Sequence, residues 1–205
     1  MNRASLNSWR ESEWKKYSTR NPLKKRAIRN FLDMILELIP EHVETILDAG
    51  CGEGVVCNHI NRSRKVSRFV GADLSLEALK AARNWNPSIH FIHASIYSFP
   101  LKNKSVDSSI CLEVIEHLEK PEKALDELRR MTRNSLIISV PNSILFRLAN
   151  IASLKNLPRL GEDSDHIQRY TKGSFQSLLR RKFPKSEVYV KTSFPWLIAS
   201  IQNLT

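Results

Sequence analysis

Three of the chain's six glycines, Gly50, Gly52 and Gly54, fall within five positions of the run ILDAGCGEG, Ile46 to Gly54. Glycine tolerates positive φ and lets a backbone approach a ligand closely, so the clustering marks a tight strand-to-helix turn. The helix that follows would aim its unbonded N–H groups at whatever the turn holds. Asp48 stands two residues before the first glycine. A carboxylate there repels a pyrophosphate and favours a ligand with an ammonium group, and G-x-G-x-G also departs from the G-x-G-x-x-G of dinucleotide folds. Nineteen residues after Gly54 comes Asp73, at the end of RFVGAD, where an acid can accept both hydroxyls of a ribose. A nucleoside that carries an ammonium and a sulfonium but no phosphate, as S-adenosylmethionine does, satisfies both acids.

A second constellation is Glu113-Val-Ile-Glu116-His117, directly after the apolar run that ends at Leu112. If Glu113 to Leu118 forms a helical turn, positions i, i+3 and i+4 bring two carboxylates and an imidazole to one face. Three readings follow. His117 can act as a general base, with Glu113 or Glu116 orienting its ring. Alternatively, Glu113, Glu116 and His117, joined by His166 from DHIQRYT, can hold a divalent metal that activates a hydroxyl. Or Glu116 and His117 simply cap and orient the loop. The remaining histidines, His42, His59, His90 and His93, lack comparable neighbours and read as structural or exposed.

The elements that must position these residues alternate in period. Residues 23–39 carry Ile28, Phe31, Leu32, Ile35, Leu36 and Ile39 at helical spacing, punctuated by Pro22 and Pro40. Strands are expected at Val43–Ala49, Arg68–Ala72, Ile89–His93, Val106–Leu112 and Leu136–Val140, with helices at Leu76–Trp85, Pro121–Met131 and Lys172–Arg181. Glu187–Thr192 and Trp196–Ile201 read as two closing strands. Strands separated by helices predict a mostly parallel sheet with helices on both faces. The chain divides into a polar extension over 1–22 and a single domain over 23–205, within which 142–170 is long enough to cap a site or to add a core helix.

ILDAGCGEG, FVGADLS and VDSSICLEVIEHL together resemble the class I S-adenosylmethionine-dependent methyltransferases of the ubiquinone/menaquinone-biosynthesis type, over about residues 25–185. The resemblance implies a Rossmann-like three-layer α/β sandwich with a seven-stranded sheet, and S-adenosylhomocysteine as product. It implies that Asp48, Gly50, Cys51 and Gly52 line the methionine end of the cofactor. Asp73 would hold the ribose with Leu74 beside the adenine, Ser95 and Ile96 would meet the adenine edge, and Leu112 would lie near the sulfonium. Ser95 stands where such proteins often have an Asp, and a neutral hydroxyl makes a weaker contact than a charged one. The E-x-x-E-H pattern is similar to two groups, the O-methyltransferases of ubiquinone synthesis and the enzymes that methylate the terminal 2′-hydroxyl of small RNAs. In the latter this pattern plus a later His holds a metal.

The 32 Lys+Arg against 21 Asp+Glu leave a net charge of +11, which favours nucleic acid, an acidic membrane surface, or no specific partner in a basic proteome. Basic residues cluster at Lys15, Lys16, Arg20, Lys24, Lys25, Arg26 and Arg29, and again at Arg180, Arg181 and Lys182. Against RNA stand the lack of a recognised RNA-binding module and the scarcity of interleaved aromatic residues, Trp14 and Tyr17 apart. The apolar stretch from Ile144 to Leu157 favours a small, apolar acceptor. Three cysteines without metal spacing, Cys51, Cys57 and Cys111, and the lack of a signal peptide or membrane span point to the cytoplasm. A non-catalytic cofactor-binding partner of another enzyme is the reading from a different class.

Overall fold

A computed structural model describes residues 20–64, 66–146 and 166–204. Its architecture is a three-layer sandwich: one seven-stranded sheet with helices on both faces. The strands are β1 (Thr45–Ala49), β2 (Arg68–Asp73), β3 (His90–His93), β4 (Val106–Leu112), β5 (Thr132–Pro141), β6 (Glu187–Ser193) and β7 (Trp196–Gln202). They lie in the order β3-β2-β1-β4-β5-β7-β6. The first five pair in parallel, and only β7 runs against its neighbours β5 and β6. The order reverses between β1 and β4, which opens a crevice at their carboxyl ends, where ligands of open α/β sheets bind.

The helices are α1 (Pro22–Leu38), α2 (Val55–Ser63), α3 (Leu76–Trp85), α4 (Pro121–Met131) and α5 (Lys172–Lys182), with a 3₁₀ turn over Ile115–His117. Burial separates two cores. On one face Ile28, Phe31 and Ile35 of α1 pack with Cys57, Ile60 and Leu79 of α2 and α3 against Ile46, Ile110 and Ile198. On the other, Leu125 and Leu128 of α4 and Phe175 and Leu179 of α5 cover Leu47, Ile138 and Ala199. β7, buried on both faces, reads as a near-continuous apolar run from Trp196 to Ile201, whereas β4 buries Ser108 and Ser109 within the sheet.

Several elements begin or end elsewhere than their periodicity predicts. β5 starts at Thr132 rather than Leu136, because its first residues are polar but paired inside the sheet. There the Ser109 and Thr132 hydroxyls meet at 2.6 Å, and Ser135 Oγ donates to Ser108 Oγ at 2.8 Å. α1 begins at Pro22, after Asn21 accepts hydrogen bonds from the N–H groups of Leu23 and Lys24. Its direction matters for the site. Its carboxyl end is held near the lower end of α2, where Arg64 donates to the carbonyls of Leu36 and Pro40. Its middle lies against the start of β7, with the Phe31 and Trp196 rings 4.8 Å apart. The amino end of α1 therefore points to the same rim as the carboxyl ends of β1 to β5. Most of the expected polar extension (residues 1–19) and of the expected cap (residues 147–165) lies outside the described residues, Lys15, Lys16, Trp14 and Tyr17 included.

Candidate functional site

The glycine turn is built by backbone bonds from β1 to β2. The N–H groups of Gly50 and Cys51 both donate to Ala72 O, at 2.7 and 3.0 Å. Gly50, Gly52 and Gly54 all take positive φ, 86°, 52° and 73°. At Gly50 the conformation is reinforced by contact, since a Cβ there would lie 2.4 Å from Val114 Cγ2. The glycine turn thus packs directly on the loop after β4, and the two sequence constellations meet at this point. Gly54 caps α2 without any side-chain hydrogen bond, so the first N–H groups of that helix face the turn.

Asp73 is fixed by two backbone donors: Gly52 N–H to Oδ2 and Ser75 N–H to Oδ1, both at 2.8 Å. Each oxygen keeps lone pairs for further donors. Leu74 is 69% exposed beside it. Ser95 accepts from Tyr97 N–H at 3.3 Å in the turn after β3, so its hydroxyl is already engaged locally. Asp48 is buried and accepts from Cys57 Sγ at 3.1 Å. Burial and then the nearby Cys51 and Asp48 push the Cys57 thiol well up, so it stays a thiol and a donor. Leu112, the last residue of β4, is buried.

Beyond β4 the predicted common face of Glu113, Glu116 and His117 is split. Glu113 adopts a left-handed backbone, φ 57°, before the 3₁₀ turn starts. Its carboxylate is thereby turned toward β5 and β7, accepting from Trp196 Nε1 at 2.7 Å and from Ser139 Oγ at 3.2 Å. Glu116 and His117 stay together, with Glu116 Oε1 3.8 Å from His117 Nε2 and Glu116 1% exposed. His166 joins them because the Ile167 and Gln168 N–H groups both donate to Glu116 O. The two imidazoles lie 5.0 Å apart, centroid to centroid, and one ligand atom from each of Glu116, His117 and His166 falls within 4.8 Å of the others. Phe146 flanks His166 at 6.0 Å.

Residues 47–138 match the family model of a methyltransferase domain. This stretch, slightly under half of the chain, is similar to that family. The chain is 32% identical over 103 residues to a probable S-adenosylmethionine-dependent methyltransferase of Mycobacterium tuberculosis, 49% of this chain and 37% of that protein. It is 30% identical over 166 residues to a malonyl-[acyl-carrier protein] O-methyltransferase of Hamiltonella defensa, 78% of this chain and 60% of the relative. The chain therefore spans between about a third and three fifths of these relatives' lengths. Among solved structures, that of the small RNA methyltransferase HEN1 superposes with TM-score 0.68 at 21% identity, over 91% of this chain and 26% of that one.

S-adenosylmethionine, the cofactor expected from the sequence, fits the residues present. The turn lacks a Cβ where a ligand must approach, and Asp73 offers two held oxygens to a diol. A metal fits less fully: Glu116, His117 and His166 supply one carboxylate and two imidazoles, while Glu113 is engaged elsewhere. Four further residues shape this site. Trp196 and Ser139 position Glu113. Gly71 leaves room for Phe91, where a Cβ would lie 2.5 Å from the ring. Asn86 ties α3 to the turn by donating to Gly54 O at 3.3 Å. A glycine inside the apolar run RFVGAD was the one signal available in advance.

Proposed function

We propose that the chain is an S-adenosylmethionine-dependent methyltransferase that moves the methyl to a hydroxyl (or amine) of a small, apolar acceptor. The observation that carries this reading is the buried Glu116 beneath the imidazoles of His117 and His166, on the rim shared by the glycine turn and Asp73. The cofactor supplies an electrophilic methyl carbon when bound. Asp48, Gly50, Cys51 and Gly52 line its methionine end, Asp73 accepts from the ribose hydroxyls, and Leu74, Ser95 and Ile96 border the base. His117 takes the proton from the acceptor hydroxyl, and Glu116 orients the ring and stabilises the imidazolium that forms. Much of the rate comes from alignment of acceptor oxygen, methyl and sulfur, which Leu112 and the loop after β4 enforce.

A second reading is favoured by the same three side chains. Two imidazoles and a carboxylate suit a borderline divalent cation such as Mn²⁺ or Zn²⁺, which would lower the pKa of a bound hydroxyl. The likeness to HEN1 and the +11 charge then support the terminal 2′-hydroxyl of an RNA as acceptor. A calorimetric titration with S-adenosylhomocysteine, on wild type and Asp73→Ala, tests the cofactor. Micromolar binding lost on substitution is expected, and no binding by wild type refutes the reading. Methyl transfer to a panel of hydroxylated small molecules and 3′-terminal RNAs, with chelator or added Mn²⁺, then separates the two acceptors. Transfer to RNA alone, abolished by chelator, selects the second.

A further inference from the structure

Large apolar side chains that are exposed gather on one rim. Leu23, Ile144, Ile167 and Phe194 are exposed by 78%, 57%, 57% and 56%. They come from four separate segments that the fold joins. Asn142 N–H donates to Pro195 O at 3.0 Å, which sets the β6–β7 turn beside the chain leaving β5. Ser143 N–H donates to Tyr170 O at 2.9 Å, which adds the segment of Ile167. Leu23 lies two helical turns above Phe31, whose ring packs on Trp196. All four residues thus surround the acceptor side of the crevice, opposite Leu74 and the cofactor side.

The segments that present these four side chains carry charge of one sign. Residues 20–26, 142–146, 166–172 and 193–195 contain Arg20, Lys24, Lys25, Arg26, Arg169 and Lys172, and no Asp or Glu. We propose that this rim docks on an anionic lipid bilayer surface, from which an amphipathic, hydroxyl-bearing acceptor enters the crevice. The orientation rests on the methyltransferase reading above. Protruding aliphatic side chains among cations enter the headgroup boundary while the cations meet lipid phosphates. A nucleic acid matches the cations but offers nothing to Leu23, Ile144 or Ile167, because bases stack on aromatic rings and only Phe194 of the four is one. A dissolved polar acceptor would leave the apolar rim in water.

The test is flotation of the full chain with vesicles of phosphatidylcholine alone and of phosphatidylcholine with phosphatidylglycerol in equal parts. Wild type is expected to bind the anionic vesicles at least tenfold more tightly than the neutral ones. Leu23→Ser/Ile144→Ser should weaken that binding on the order of tenfold, given the apolar area withdrawn. Lys24→Glu/Lys25→Glu should weaken it by about 25-fold or more, at roughly fivefold per lysine near the surface. Both variants should keep wild-type affinity for S-adenosylhomocysteine, which verifies their folding and reads the cofactor site separately. No binding to anionic vesicles, or binding indifferent to Leu23→Ser/Ile144→Ser, overturns the proposal. So does a salt-sensitive shift of single-stranded RNA that the lysine variant abolishes while vesicle binding is absent.

Discussion

Tyr170 and Glu113 show how single side chains divide the labour at the acceptor end. The Tyr170 hydroxyl is buried, and among the described residues it has no hydrogen-bond partner. Burial first, and then the negative charge of Glu116, push its pKa well above the usual tyrosine value, so it stays a neutral donor. A buried hydroxyl without a partner lowers stability, and removing it is neutral or favourable. Tyr170→Phe is therefore expected to leave the thermal midpoint unchanged or to raise it. If the hydroxyl instead meets the acceptor, the same variant raises KM without loss of stability. A fall in stability of more than about 1 kcal/mol would contradict the unpartnered hydroxyl. Glu113 is the opposite case, a carboxylate spent on holding Trp196 and Ser139. Glu113→Ala should cost about 1–3 kcal/mol in urea unfolding by stranding the indole N–H, whereas Glu113→Gln, whose amide oxygen still accepts, should cost less than half of that. Equal losses would show that charge, not the hydrogen bond, matters at this position.

Between elements, the contact of the glycine turn with the loop after β4 is the joint that, in the proposed function, aligns cofactor and acceptor. Gly50→Ala adds about 1–2 kcal/mol of left-handed strain and also drives a methyl into Val114. In a double-mutant cycle, Val114→Ala should recover the steric part and leave the conformational part, so the two changes are non-additive. Additive losses measured by denaturant would mean that the turn and the loop move independently. The sequence made this joint partly visible. The clustered glycines, the acid at the end of β2 and the alternation of strand and helix are local signals, and the sheet, its crevice and the positions of Asp48 and Asp73 follow from them. What bends the pattern is long-range. Glu113 leaves the helical register through one left-handed residue, and its partner Trp196 lies 83 positions away. The early start of β5 was hidden because hydroxyl pairs inside the sheet, Ser109 with Thr132 and Ser135 with Ser108, look like surface in a hydropathy pattern.

Over the whole molecule, the proposed function collects at one end of the sheet and a polar tie between strands at the other. The lower end is tied by Asp107, which accepts from the N–H groups of Glu44 and Thr45, from Thr45 Oγ1, and from Arg133 at 3.0 Å. Lys104 Nζ adds bonds to the carbonyls of Thr132 and Leu204. β1, β4 and β5 are thereby locked below the crevice while their upper ends remain open to ligand. Burial alone would raise the Asp107 pKa, but the hydrogen bonds from Thr45, Arg133 and Glu44 outweigh it, and the carboxyl stays below its usual range. A carboxyl depressed in the folded state contributes stability above the unfolded value of about 3.9, and that contribution is lost as pH falls through the folded value. Asp107→Asn should therefore lower the urea midpoint at pH 7 and converge on wild type as the pH falls from about 5 toward 2. The neutral amide keeps the shape of the junction but not its proton dependence, so a gap that stays constant across this range would assign the effect to geometry. Because Asp107 is at the opposite end of the sheet from Asp73, Asp107→Asn should leave S-adenosylhomocysteine affinity unchanged at pH 7, where the folded fraction remains high.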